Sequence, residues 1–286
     1  MRVLIANDGS PGADQATDLA RAIGWPPETH LRLVAGLGSQ VSGTAWTFRE
    51  AHALADSVAR QLDAHLEELE QRLAREGLTV DRTLVPGRPA SAIVEEARQF
   101  QADLVITGSR GHGLVKQLLL GSVAAEILDQ APCPVLVARS AEPNVVLFAT
   151  DGSDASAPAL DMLERWTIFE RARIRVLSVA NEIPQYTGLA EPNLMTEAAA
   201  FAEHQRAADA AAMRLIAAGR NAVPEVRAGD AAAGILAAAE SPPAGLIVMG
   251  SRGNTGLKRL ALGSVARNVV LAATTSVLVA RVDAVP

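Results

Sequence analysis

The sequence predicts an α/β fold built twice, each copy an open parallel sheet with helices on both faces. Three observations predict it. Apolar runs of four to six residues alternate with segments whose apolar positions recur every three or four residues, which reads as buried strands alternating with amphipathic helices. The whole alternation then starts again. Finally, the same glycine-rich stretch stands at the same strand-to-helix junction in both copies: Gly108-Ser109-Arg110-Gly111, nine residues, Gly121-Ser122, and then Gly250-Ser251-Arg252-Gly253, nine residues, Gly263-Ser264. One such match should arise roughly once in tens of thousands of starting positions at average glycine and serine usage. Two at one spacing (Gly108 to Gly250, Gly121 to Gly263) are an internal repeat.

In the first copy, Val3–Ala6 reads as a strand that stops at Asn7-Asp8-Gly9-Ser10. Ser10 caps a helix with Pro11 at its first position, ending near Gly24. Leu31–Ala35 is strand two, and Gly36 to Gly43 form a loop. A long helix spans Thr44 to Glu76, with Leu54, Val58, Leu62, Leu66, Leu69 and Leu73 on its core face. Gly77 ends it as a C′ glycine. Leu78–Val85 is strand three, closed by Pro86-Gly87. Ala90–Phe100 is a helix with Ile93, Val94 and Ala97 inward. Leu104–Thr107 is strand four, Ser122–Gln130 a helix and Val135–Ala138 strand five.

The second copy repeats this with Val145–Ala149, then Thr150-Asp151-Gly152-Ser153, strand two at Ile174–Val179, a long helix at Met195–Ala218, and a last strand at Val277–Ala280. Trp25 and Trp166 follow the first helix of each copy and read as packing anchors. The domains are expected at 1–140 and 144–286, joined by a linker too short for independent tumbling, so the copies should pack as a pseudo-dimer.

Composition narrows the function classes. Hydrophobic residues at 49% and charged residues at 20% exclude a disordered chain. A net charge of −6 without a basic run argues against a nucleic-acid surface. The single Cys133 leaves no intrachain disulfide or cysteine metal cluster, and reads as a buried, inert thiol. No apolar stretch approaches the ~20 residues of a membrane span, and the first strand begins almost at the start, so a cytoplasmic protein is expected.

Strand, glycine loop and helix N-terminus in that order make a phosphate cradle, because backbone N–H groups and the helix dipole converge on an anion. In an open α/β sheet the ligand sits outside the carboxyl ends of the strands where their order reverses. If strands one and four are neighbours there, Asp8 faces the crevice of Gly108, and Asp151 that of Gly250. A carboxylate beside a glycine-lined anion site suits a nucleotide. Ser122 and Ser264 add hydroxyl donors, and Arg110 and Arg252 a cation within the loop. Lys116, Lys258 and His112 read as solvated loop residues. His52, His65 and His204 lie on long helices without metal-ligand spacing. No general base repeats between the copies. Neither a G-x-x-x-x-G-K-[ST] loop nor a Gly-x-Ser-x-Gly elbow is present.

Over nearly its whole length the chain resembles a tandem universal stress protein. That family's signature is Gly, two residues, Gly, nine residues, then Gly-Ser or Gly-Thr. Both copies match it, as does the Asp ending the first strand. The resemblance implies two Rossmann-like domains with strand order 3-2-1-4-5 and one ATP or related adenine nucleotide per crevice, alone or with Mg2+. Carried over by position, Asp8 and Asp151, beside Ala6, Asn7, Ala149 and Thr150, would meet the adenosine. Val34 and Val179, ending strand two, would pack on adenine or bond to it by backbone. Gly108, Gly111, Gly121 and Ser122, with Gly250, Gly253, Gly263 and Ser264, would hold ribose and phosphates, and Val123 and Val265 would add a backbone donor. The last strands, Val135–Ala138 and Val277–Ala280, would meet within the chain, with homodimerisation as the further option.

The chain departs from the pattern at three places. The residue before the first glycine, often Met in the family, is Thr107 in copy one and Met249 in copy two. Asn7 stands where copy two has Thr150, and Pro132-Cys133-Pro134 where it has Thr274-Thr275-Ser276. The leading expectation is a nucleotide-binding regulator of the stress response with an unidentified protein partner. A slow ATPase or nucleotidyl-transfer enzyme on the same fold, and a nucleotide-free interaction module, are the alternatives.

Overall fold

A computed structural model describes residues 1–38, 48–109, 111, 120–140, 144–180, 194–252 and 262–281. The chain divides into two compact units, Met1–Ala141 and Glu142–Pro286. Unit 1 holds strands β1 (Arg2–Ala6), β2 (Thr29–Gly36), β3 (Leu78–Val85), β4 (Leu104–Gly108) and β5 (Val135–Ala138), with helices α1 (Pro11–Ala22), α2 (Phe48–Leu73), α3 (Pro89–Gln99) and α4 (Ser122–Gln130). Its strands are all parallel and run β3-β2-β1-β4-β5. Unit 2 repeats the plan with β6 (Val145–Ala149), α5 (Ala157–Arg165), β7 (Arg173–Ala180), α6 (Leu194–Ala217), β8 (Asn221–Ala228), α7 (Ala231–Glu240), β9 (Leu246–Gly250), α8 (Ser264–Ala272) and β10 (Ser276–Ala280), in the order β8-β7-β6-β9-β10. Both units therefore have the order 3-2-1-4-5. Helix α1 packs with α2 and α3 with α4, as α5 does with α6 and α7 with α8, so each sheet is covered on two faces.

The continuous apolar runs exist because the central strands have no solvent face. Val3, Leu4 and Ile5 are fully buried, and so are Val146, Leu147 and Phe148. Cys133, the chain's single cysteine, is buried and in no disulfide. Trp25 is buried and its indole N–H donates to the Ala20 carbonyl at 2.7 Å, while Trp166 stacks on Phe169. No helix among the described residues is long and apolar enough to cross a membrane.

Two local expectations need correction. The leucine ladder of α2 is core only in its second half: Leu66, Leu69 and Leu73 are buried, whereas Leu54 is 42% exposed. A helix of 26 residues rises about 39 Å, well beyond the strands it covers. Gly77 is not a C′ residue either, since α2 ends at Leu73. It sits at the third position of a turn closed by Leu78 N–H to the Arg75 carbonyl (3.2 Å), with φ +83°, a conformation that glycine adopts without strain. The expected segments 39–47 and the start of the long helix lie partly outside the described residues.

Candidate functional site

The parallel register sets the site. Ala6 pairs with Thr107, and Ala149 with Met249. From these adjacent strand ends the chain leaves in opposite directions, β1 leading to β2 and β4 to β5. Asn7-Asp8 therefore emerges beside Gly108, and Thr150-Asp151 beside Gly250, at the point where the order reverses. That is where an open α/β sheet has its crevice.

Each acidic residue is held by its own turn. Asp8 Oδ1 accepts the Ser10 N–H at 3.0 Å, and Asp151 Oδ1 accepts the Ser153 N–H at 3.0 Å, the Asx-type bond that short carboxylates favour in turns. Beyond that the units diverge. Ser10 accepts the Ala13 N–H at 3.2 Å and caps α1, with Pro11 at the first position as expected. In unit 2 the helix starts at Ala157, three residues later than the repeat would place it. Pro158 accounts for the delay, because a proline inside the helix clashes with the carbonyl four residues back, that of Asp154. Ser153 instead donates its hydroxyl to Asp151 Oδ1 at 2.5 Å.

The residues before the acids differ too. Asn7 is buried; its Nδ2 donates to Asp14 Oδ1 (3.0 Å) and Thr17 Oγ1 (3.3 Å), and its Oδ1 accepts the Gly9 N–H at 2.7 Å. His65 Nε2 also meets Asp14 Oδ1, at 3.0 Å. Thr150 Oγ1 instead lies 2.9 Å from Ser156 Oγ and accepts the Gly152 N–H at 3.1 Å.

The repeated glycines have separate tasks. A Cβ on Gly108 would strike the Gly12 carbonyl of α1, and one on Gly250 the Ala155 carbonyl that precedes α5. These two glycines let a helix entry close on the sheet, and what they offer the crevice is backbone. A Cβ on Gly111 would lie 2.5 Å from Asp8 Oδ2, so this glycine lets the loop pass over the carboxylate. The far ends of the stretches are pinned alike, Gly121 N–H to the Ser109 carbonyl and Gly263 N–H to the Ser251 carbonyl, both at 2.8 Å. Gly121 and Gly263 are then the N-caps of α4 and α8, without a side-chain cap. Ser122 and Val123 open α4 as Ser264 and Val265 open α8. Arg110, Gly253, Lys116, Lys258 and His112 lie outside the described residues.

In unit 2 the sequence-predicted residues line one crevice of about 260 Å³: Ala149, Thr150, Asp151, Val179, Met249, Gly250, Arg252, Gly263, Ser264 and Val265. Arg252 brings a polar atom in need of a partner, since its Nε is buried and has no hydrogen-bond partner among the described residues. The wall also contains Ser156, Leu177, His204, Ala231 and Ile235, which sequence reasoning missed. Only Leu177 left a trace in the sequence, as the residue two before the end of strand two. The structure shows that Leu177, and not Val179, is the counterpart of Val34: the Asn7 N–H donates to Val34 and the Thr150 N–H to Leu177, both at 2.9 Å. His204 reaches the wall from α6, with Nδ1 2.8 Å from Ser178 Oγ. No cluster of three metal-ligating side chains occurs among the described residues.

Fold and site together define a tandem, doubly wound α/β protein whose two units each bring an acidic strand end and a glycine stretch to the switch point, with a crevice there in unit 2. The chain belongs to the universal stress protein family, whose sequence profile matches residues 1–139 and again 143–281. A universal stress protein of Mycobacterium bovis is 31% identical over 235 residues, covering 73% of this chain and 74% of that one. Another, from Thermus aquaticus, is 33% identical over 138 residues, 48% of this chain and 97% of its own. The crystal structure of a universal stress protein from Archaeoglobus fulgidus superposes with a TM-score of 0.69 over 98% of both chains at 20% identity, a likeness of fold.

Proposed function

We propose that each unit binds an adenine nucleotide, ATP above all, and that the chain acts as a regulator in the stress response through occupancy of these two sites. One observation carries the reading: in unit 2 an acidic strand end, a glycine stretch, the opening of α8 and a buried guanidinium nitrogen without a partner among the described residues converge on one crevice. The donor set fits the ligand. The first-turn N–H groups of α8 and the Ser264 hydroxyl would take phosphate oxygens, with Arg252 neutralising charge. Asp151 would accept a hydroxyl or amino hydrogen of the adenosine, and Leu177, Val179 and Ile235 give the base an apolar wall. Mg2+ would enter with the phosphates. In unit 1 the same parts are Asp8, Val34, Gly108, Gly111, Gly121, Ser122 and Val123.

Occupancy rather than turnover is the favoured output, since no histidine stands in the same place in both units. Protein stripped of carried-over ligand should bind ATP at up to two sites per chain in a calorimetric titration, and in unit 2 Arg252→Met should weaken ATP about tenfold while sparing adenosine. Absence of adenine-nucleotide binding sinks the proposal. Phosphate release that disappears in the crevice variants would favour the enzymatic alternative.

A further inference from the structure

We propose that the His204–Ser178 pair recognises the nucleoside part of the ligand in unit 2, and that unit 1 has no counterpart. The inference rests on the nucleotide reading of the crevice and adds to it which part of the ligand is read, and in which unit. Ser178 is fully buried on β7, between Leu177 and Val179, which line the crevice. Its hydroxyl holds His204 Nδ1 at 2.8 Å, which fixes an imidazole that is itself part of the crevice wall. Nε2 is then the ring's remaining polar atom. Serine can donate or accept, so Nε2 can present either a donor or an acceptor.

Its place in the sheet says what it meets. The anion-binding parts, Gly250, Gly263 and Ser264, belong to β9 and α8, whereas His204 is fastened to β7. Strand β6 lies between, so the two sides are about 10 Å apart at the usual strand spacing. A ligand with phosphates on α8 brings its sugar or base to His204.

Unit 1 lacks both members. The buried Leu66, Leu69 and Leu73 of α2 match Ala208, Ala211 and Leu215 of α6, which puts Leu62 in the place of His204. The matched bonds to Val34 and Leu177 put Ala35 in the place of Ser178. His65 falls at Ala207 and is held by Asp14.

The test is equilibrium binding of ATP, ADP, AMP and adenosine to the full chain carrying Gly111→Val, which displaces Asp8 and leaves one site. Added His204→Leu should weaken all four ligands by the same factor, about tenfold. His204→Gln, whose amide reaches the Nε2 position, should retain more binding than His204→Asn, which reaches only the Nδ1 position. Unchanged affinity in His204→Leu, a loss that grows with the number of phosphates, or equal losses in all three variants together with a lowered melting temperature would each overturn the inference while leaving the nucleotide reading in place. If the Gly111→Val chain binds none of the four, that reading fails for unit 2 and takes this one with it.

Discussion

In unit 1 the turn that carries Asp8 is braced from behind by an amide: Asn7 reaches Asp14 and Thr17 on α1, and His65 joins from α2. In unit 2 the same turn is braced by hydroxyls, Thr150 to Ser156 and Ser153 to Asp151, and the helix behind it has lost its first turn to Pro158. Yet the carboxylate bond to the second residue on is 3.0 Å in both, and the glycine stretch is pinned at 2.8 Å in both. A duplicated site can exchange its polar support while keeping the backbone that shapes the crevice. What the units share are positions where backbone meets backbone; what they changed are side-chain partners that can be replaced as a set.

The largest expected contrast lies in the β2–β3 and β7–β8 pairs. Arg175 is buried and donates to Glu225 and to the Ala238 and Pro242 carbonyls, whereas its counterpart Arg32 is more exposed and holds Asp81 and Glu96. Removing one partner of a buried pair strands the other, so Arg175→Met should destabilise unit 2 by about 3 kcal/mol and Arg32→Met unit 1 by about half of that. Urea unfolding followed in each unit checks this, and equal losses would break the contrast.

A smaller effect separates the glycines. Gly108→Ala and Gly250→Ala push a Cβ into the backbone at a helix entry and should cost about 2 kcal/mol each, with hydrogen exchange rising in the unit concerned. Gly111→Ala meets only the movable end of Asp8, so it should leave stability nearly unchanged and weaken nucleotide binding in unit 1. The reverse pattern would mean that Gly108 is kept for the ligand and not for packing.

The smallest effect concerns acid. Burial raises the Glu225 carboxyl, but hydrogen bonds from Arg175 and Arg227 outweigh it and hold the group below its usual 4.5; in unit 1 burial is likewise outweighed for Asp81 by Arg32 and His30. A carboxyl with a depressed folded-state value stabilises fully above its unfolded value and loses that contribution as pH falls through the folded one. Stability should therefore drop below about pH 4.5, and Glu225→Gln should flatten that limb for unit 2. A variant with the same acid slope as the parent would remove Glu225 from the account.

Much of this molecule was legible in its residues. Apolar runs such as Val3–Ala6 and Leu104–Thr107 marked strands correctly because strands buried on both faces carry mostly apolar side chains. Helix α4 and strand β5 were legible to the residue, one opened by a glycine N-cap and the other preceded directly by Pro134. Strand order was not readable from periodicity, which is local; it followed from the family resemblance and is what the fold shows. The upper leucines of α2 misled because helical spacing tells which face a residue is on, not how far the sheet beneath extends.

By itself, then, the sequence determined that the fold is doubled and where most strands and helices lie, because repeats, caps and glycines act over a few neighbouring residues. Only the tertiary structure decided that Gly108 and Gly250 face helix entries, that Leu177 answers to Val34, and that His204 enters the crevice on the arm of Ser178. Those facts depend on which elements lie side by side, and residues 26 apart in the chain come to share a hydrogen bond only once the sheet and its helices have closed.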